Sequence, residues 1–314
     1  MTDDTLVRFT AHTIRREDLH ALMTRRDRPA LIRAIWHFGV LAITGTLLWN
    51  LRATVWAVPL LVAHGYVLAF VFCAFHEAAH RTAFRTRWLN TVVGTLAGLL
   101  IFWPYRNYRV FHWEHHRYTQ DSARDPELFF AKPTTIGTYL LVLTGVPNFI
   151  RRAGDILRLA SGRADRPWMA PSDRRPLIAE ARAYLAVYAL VAVASIVAGS
   201  AIALVVWILP LLVGQAFLRP YLLAEHTGCA FTRDCLDNTR TTLTSALVRL
   251  FAWNMPYHAE HHAYPAVPFH ALPLLHRQVR TSITHLEPSY VVATAKVNHY
   301  LFRGDAASVE RTAN

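Results

Sequence analysis

The sequence predicts an all-α integral membrane protein: four transmembrane helices with a cytoplasmic helical cap that carries a histidine-rich metal site. Three observations point there. The 314 residues are 53% hydrophobic and only 17% charged. Long uncharged runs cover 34–51, 53–75 and 183–218. Three boxes, His76-Glu-Ala-Ala-His80, His112-Trp-Glu-His115-His116 and His258-Ala-Glu-His261-His262, lie close to the ends of apolar segments.

A helix needs about 20 apolar residues to cross hydrocarbon. The first two runs are about one span each, separated by Arg52 alone, which reads as a tight helical hairpin. The third run suits two short spans, turning at Ala198-Gly199-Ser200 and reaching to about Leu223. The chain thus reads as one domain over 1–314. It comprises a polar segment 1–33, a hairpin 34–75, a cytoplasmic and interfacial stretch 76–182 with two boxes, a hairpin 183–224, and a cytoplasmic stretch 225–314 with the third box. A shorter apolar stretch, 88–105, holds Gly94, Gly98 and Pro104. If it crossed the membrane, the first two boxes would face opposite sides, so it is expected to be re-entrant or to lie along the interface. Ile136–Ile150 reads as interfacial, and 151–182, rich in Arg, Asp and Pro, as a loop.

A net charge of +12 would suit a nucleic-acid binder, but its distribution favours a membrane. Seven Lys and Arg lie in 1–33, sixteen in 81–182 and nine in 219–314, against Arg52 alone on the other side. By the positive-inside rule both termini and all three boxes are cytoplasmic. Residues 1–33 contain no apolar core of a secretory leader. Cys73, Cys229 and Cys235 form neither a CxxC pair nor a disulfide framework.

Residues at i,i+3 and i,i+4 share a helix face, and imidazole is the commonest protein metal ligand. Each box can aim two or three nitrogens at one point. Eight imidazoles exceed the about four to six ligands one ion accepts, so two ions fit the count. His226, in Ala224-Glu-His-Thr-Gly228, is a ninth candidate, whereas lone His37 and His64 in apolar stretches read as packed side chains. Glu77, Glu114, Glu225 and Glu260 adjoin the boxes and read as groups orienting an imidazole N–H. Ligation by nitrogen, without thiolates, favours redox iron over copper and zinc.

The order HxxxH, HxxHH, HxxHH relative to four spans closely resembles the membrane fatty acid desaturase/hydroxylase superfamily, over about residues 30–280. Arg117-Tyr-Thr-Gln-Asp121 after the second box, Asn238-Thr-Arg-Thr-Thr242, and Trp253-Asn-Met-Pro-Tyr257 before the third support the likeness. The resemblance implies two irons held by His76, His80, His112, His115, His116, His258, His261 and His262, with His226 matching an extra ligand. It also implies activation of O2, removal of hydrogen from an unactivated C–H bond, and location in a bilayer, here a bacterial inner membrane. Fatty acyl-lipid desaturation is the expected activity. Hydroxylation, ketolation or oxidative demethylation of a carotenoid or a small amino-acid-like metabolite is the alternative, and a non-enzymatic metal-binding protein a remote one. Electrons must come from a separate carrier, a ferredoxin, rubredoxin or cytochrome with its reductase, because no fused carrier motif is present. Such carriers are commonly acidic, and Arg81, Arg85, Arg106, Arg109 and Arg240 are candidate contacts. Asn238 is a further candidate for orienting or substrate contact, and Arg240 could equally hold a substrate carboxylate or phosphate. His270 is expected to lie outside the site.

Overall fold

A computed structural model describes residues 14–303. The terminal segments on which the orientation reading partly rests, 1–13 and 304–314, lie outside the described residues. Among the described residues four helices are long and apolar enough to cross a membrane: Asp27–Asn50, Ala57–His80, Pro171–Val197 and Leu204–His226. The first begins seven residues before the uncharged run and the third twelve before it, because charged side chains at a span's end can extend the helix beyond the hydrocarbon.

The second and fourth spans form the centre. They cross where Gly65 meets Gly214: a Cβ on Gly214 would stand 2.0 Å from the Gly65 carbonyl oxygen. Small residues let membrane helices approach closely, and packing contacts must supply the attraction that apolar burial cannot give in lipid. Two histidines tie this centre to its neighbours. His64 bridges Thr44 Oγ1 on the first span and the Val206 carbonyl on the fourth, each at 2.8 Å. Trp253 Nε1 donates to His37 Nδ1 at 3.2 Å, so His37 Nε2 carries the proton donated to the Val67 carbonyl at 3.0 Å. Both rings are the packed side chains their apolar surroundings suggest.

Between the second and third spans the chain enters and returns. Helices Arg87–Leu100 and Tyr105–Tyr118 meet at a 100° bend. The glycines make the bend possible, since a Cβ on Gly94 would stand 2.3 Å from the Tyr105 ring and one on Gly98 2.5 Å from the Trp103 carbonyl oxygen. Carbonyls freed at the bend are satisfied from other elements: Trp207 Nε1 donates to Leu100 O and Arg152 Nη1 to Ile101 O.

The stretch 151–182 is largely helical, not a loop. Helix Val146–Ala160 runs into it, the third span starts at Pro171, and only 161–170 is irregular. Its charges misled because several are internal or paired: buried Arg152 sits 4.1 Å from the Trp103 ring, and Asp155 pairs with Arg166. After the fourth span, short helices Cys235–Asn238, Ala246–Phe251, His258–Ala263 and Leu272–Val279 precede a last one, Tyr290–Phe302. A two-stranded parallel ribbon, Arg240–Thr242 with His285–Glu287, joins them and adds a little sheet to the helical fold. Just before the third box, Trp253 and Asn254 adopt left-handed backbone (φ 50° and 59°). Such residues persist only where the surroundings fix them. Here the Trp253 bond to His37 and an Asn254 bond to the Phe269 carbonyl do so.

Candidate metal centre

The first box ends the second span, where every residue from Val71 to His80 is buried. His226 ends the fourth span, the second box lies on the helix after the bend, and the third box forms its own short helix. These four elements bring all nine histidines together. One group comprises His76, His80, His112, His116 and His261; another comprises His115, His226 and His262, the ligand atoms within each lying inside 4.8 Å of one another. His258 joins the second group through Nε2, 3.1 Å from His226 Nε2. The groups abut, with His116 and His262 rings stacked at 4.0 Å. Because the first and second boxes share one group, the segment between them must return to the side it left.

Nε2 atoms approach in pairs: His80 to His112 at 2.8 Å, His112 to His116 at 3.0 Å, His80 to His261 at 3.1 Å and His115 to His226 at 3.3 Å. Nitrogens about 2.0–2.1 Å from one ion stand about 2.9 Å apart at right angles and about 3.4 Å at the tetrahedral angle. The spacing therefore fits ligation. Both nitrogens of His76 and Nε2 of His262 are buried without a hydrogen-bond partner, a costly arrangement unless something binds them. Burial first, then the neighbouring imidazoles, hold His112, His116, His258 and His262 well below the usual imidazole range. Burial likewise lowers His261 to about 3. These rings are neutral and offer lone pairs.

His115 is the exception. Burial also pulls it down, but Asp125 and Glu127 outweigh that and raise it to about 9. Its Nδ1 lies 2.9 Å from the buried Asp125 carboxylate, an arrangement that fixes the tautomer and aims Nε2. Thr119 does the same for His262: its hydroxyl donates to His115 O, leaving its oxygen to accept from His262 Nδ1 at 3.2 Å. Neither residue was singled out from the sequence. Thr119 and Asp125 follow the second box across a turn, where helical spacing gives no guidance.

The carboxylates read as orienting groups are placed differently. Glu225 stands 3.5 Å from His258 Nδ1, in ion-pair range but without hydrogen-bond geometry. Glu77 accepts from Thr82 and from the Phe269 amide, and Glu260 bonds Thr241 and His276. Both brace the boxes against their surroundings rather than orient a box ring. Glu114 pairs with Arg117 near the surface. The Asn238 side-chain amide donates to Thr119 O and Thr232 O, while its main-chain carbonyl lies 3.4 Å from His226 Nδ1. Arg240 is neither a docking residue nor free for a substrate anion: it is buried and donates to the carbonyls of Ala224 and Thr227, tying the strand to the end of the fourth span. His270 stands outside both groups.

Fold and site together define a helical membrane protein with a buried, nitrogen-rich site built for metal. A family model described as fatty acid desaturase matches residues 53–293. The chain belongs to the fatty acid desaturase family. It is 31% identical over 114 residues to an sn-1 oleoyl-lipid 12-desaturase of Picosynechococcus sp., covering 34% of this chain and 31% of that protein. A Synechocystis sp. protein of the same name is 31% identical over 88 residues, 26% of this chain and 25% of the relative. Beta-carotene 4-ketolase 3 of Haematococcus lacustris is 27% identical over 117 residues, 37% of this chain and 36% of the relative. The aligned stretches thus span about a third or less of the length of the first two relatives, the oleoyl-lipid 12-desaturases.

Proposed function

We propose that this chain is an O2-dependent acyl-lipid desaturase with two irons. The observation that carries the reading is the convergence of nine imidazoles into two abutting groups at the ends of two spans. When bound, the irons supply the oxidising power to remove hydrogen from an unactivated C–H bond. The balance is one CH2–CH2 unit, O2, two electrons and two protons giving CH=CH and two waters.

The protein's own share is binding, orientation and exclusion of water. Apart from half-buried His116 the imidazoles are buried, those of His112, His116, His258, His261 and His262 are neutral, and Asp125 and Thr119 orient His115 and His262. An apolar cavity of ≈ 420 Å³, lined by Phe102, Phe149, Ile156, Tyr188, Leu211 and Leu212 among others, matches a hydrocarbon body. Its volume is within the about 300–1,000 Å³ usual for small-molecule sites. From Trp103, beside Phe102, ring contacts run through Tyr108 to His112. The positive-inside distribution supports cytoplasmic termini and a cytoplasmic site in a bacterial inner membrane. A separate ferredoxin, rubredoxin or cytochrome, with its reductase, delivers the electrons.

The likeness to a ketolase favours a second reading, oxygen insertion into a carotenoid or another metabolite. Lipid profiling of cells with and without the protein separates the two: loss of two hydrogens supports desaturation, gain of oxygen the alternative. His116→Ala and His262→Ala should abolish either product. A product that persists in both variants would sink the site assignment.

A further inference from the structure

We infer that a small acidic one-electron carrier protein docks on the solvent face of helix Tyr105–Tyr118, and that its electrons pass through Trp113. The inference rests on the proposed oxidative function, which requires two electrons per turnover. Arg106, Arg109, Trp113 and Arg117 follow one another at spacings of three, four and four residues. At 3.6 residues per turn they share a strip less than a quarter of the helix circumference wide, with Trp113 near its middle.

The second box lies on the adjoining flank of the same helix, with His116 about 60° and His112 about 100° around from Trp113, so the strip borders the metal centre on its outer side. Trp113 is 38% exposed, although an indole on a monomer surface gains by burial. Its ring meets two imidazoles of the five-histidine group, His80 at 5.3 Å edge-on and His116 at 6.3 Å. Electron tunnelling decays steeply with the gap between donor and acceptor, so an exposed aromatic touching ligand rings shortens the through-space path. The surrounding charge is positive. Arg106 and Arg117 are exposed, Arg109 is half-buried, and exposed Arg81 adjoins His80. Glu114, paired with Arg117, and Glu180, which accepts from the Arg106 amide, offset only part of it. Such a strip attracts an acidic partner and repels a basic one. A cluster of arginines is also poorly suited to a lipid-facing surface, so this face meets water. In the transfer, each reduced carrier loses one electron and the centre gains one; two carriers complete a turnover.

The test uses the full chain in nanodiscs, with a reduced [2Fe–2S] ferredoxin and a reduced rubredoxin as probes. Dithionite with methyl viologen provides a carrier-independent arm, and metal per chain is measured in every variant. Carrier affinity should weaken at least tenfold in Arg106→Glu/Arg117→Glu and on raising salt from 50 to 300 mM. In Trp113→Leu the ratio of carrier-driven to dithionite-driven rate should fall at least tenfold at saturating carrier, and Trp113→Phe should restore most of it. Unchanged affinity and unchanged rate ratios would overturn the docking face. So would a parent that dithionite drives but neither carrier does. A parent that neither dithionite nor a carrier can drive would instead overturn the functional reading beneath it.

Discussion

Replacing Asp125 by Asn tests whether the carboxylate behind His115 builds the second imidazole group. Oδ1 of Asp125 accepts from His115 Nδ1 and from the Glu127 amide, and Oδ2 from the Gln120 amide, all at 2.9 Å. Three donors converge on a residue that is 1% exposed. An Asn amide has one accepting oxygen, so in either orientation its NH2 faces at least one of these donors. A buried donor left without a partner costs about 1–3 kcal/mol. Removing a group that orients a ligand from behind typically costs about 10–100-fold in metal affinity. Isothermal or chelator-competition titration should therefore show one of the two metals weakened by that factor, with the other retained.

The metal-free protein gives a second readout. His115 is raised from 6.5 to about 9, so its charged form stabilises the fold. That contribution is fully present below pH 6.5 and is lost as pH rises through about 9. At about 1.4 kcal/mol per pH unit it amounts to roughly 3 kcal/mol. The metal-free parent should lose this stability between pH 6.5 and 9, and Asp125→Asn should not. Equal affinity for both metals, together with an unchanged pH profile, would refute the role given to Asp125.

His226→Ala should release metal from the His115 and His262 group, while His270→Ala should keep full occupancy, as elemental analysis per chain will read. Gly214→Ala places a methyl group 2.0 Å from the Gly65 carbonyl oxygen. Overpacking costs about 1–3 kcal/mol or more, and because backbone cannot yield easily here, a marked fall in the midpoint of denaturation in detergent is expected. Cysteines introduced at Arg52 and Ser172 should label from opposite sides of the membrane; labelling from one side would sink the proposed orientation.

The spans and the boxes were legible in the residues themselves because both signals are local. A run such as 53–75 must be long enough for hydrocarbon, and His112, His115 and His116 must share a face wherever that helix lies. Gly94, Gly98 and Pro104 likewise announced a broken segment, since few other residues allow such a bend. What the sequence left open depends on residues distant along the chain. Asp125 matters only because the turn after the second box folds back on His115, and no periodicity connects them. The arginines divided in the same way. Arg240 and Arg152 carry the same charge as Arg106 and Arg117, but the first two are buried against backbone carbonyls and the others face water. Side-chain type determined which groups could bind metal. Only the crossing of the second and fourth spans, close-packed at Gly65 and Gly214, decided that His76, His80 and His226 converge, because close approach of helices is a property of facing surfaces and not of either sequence alone.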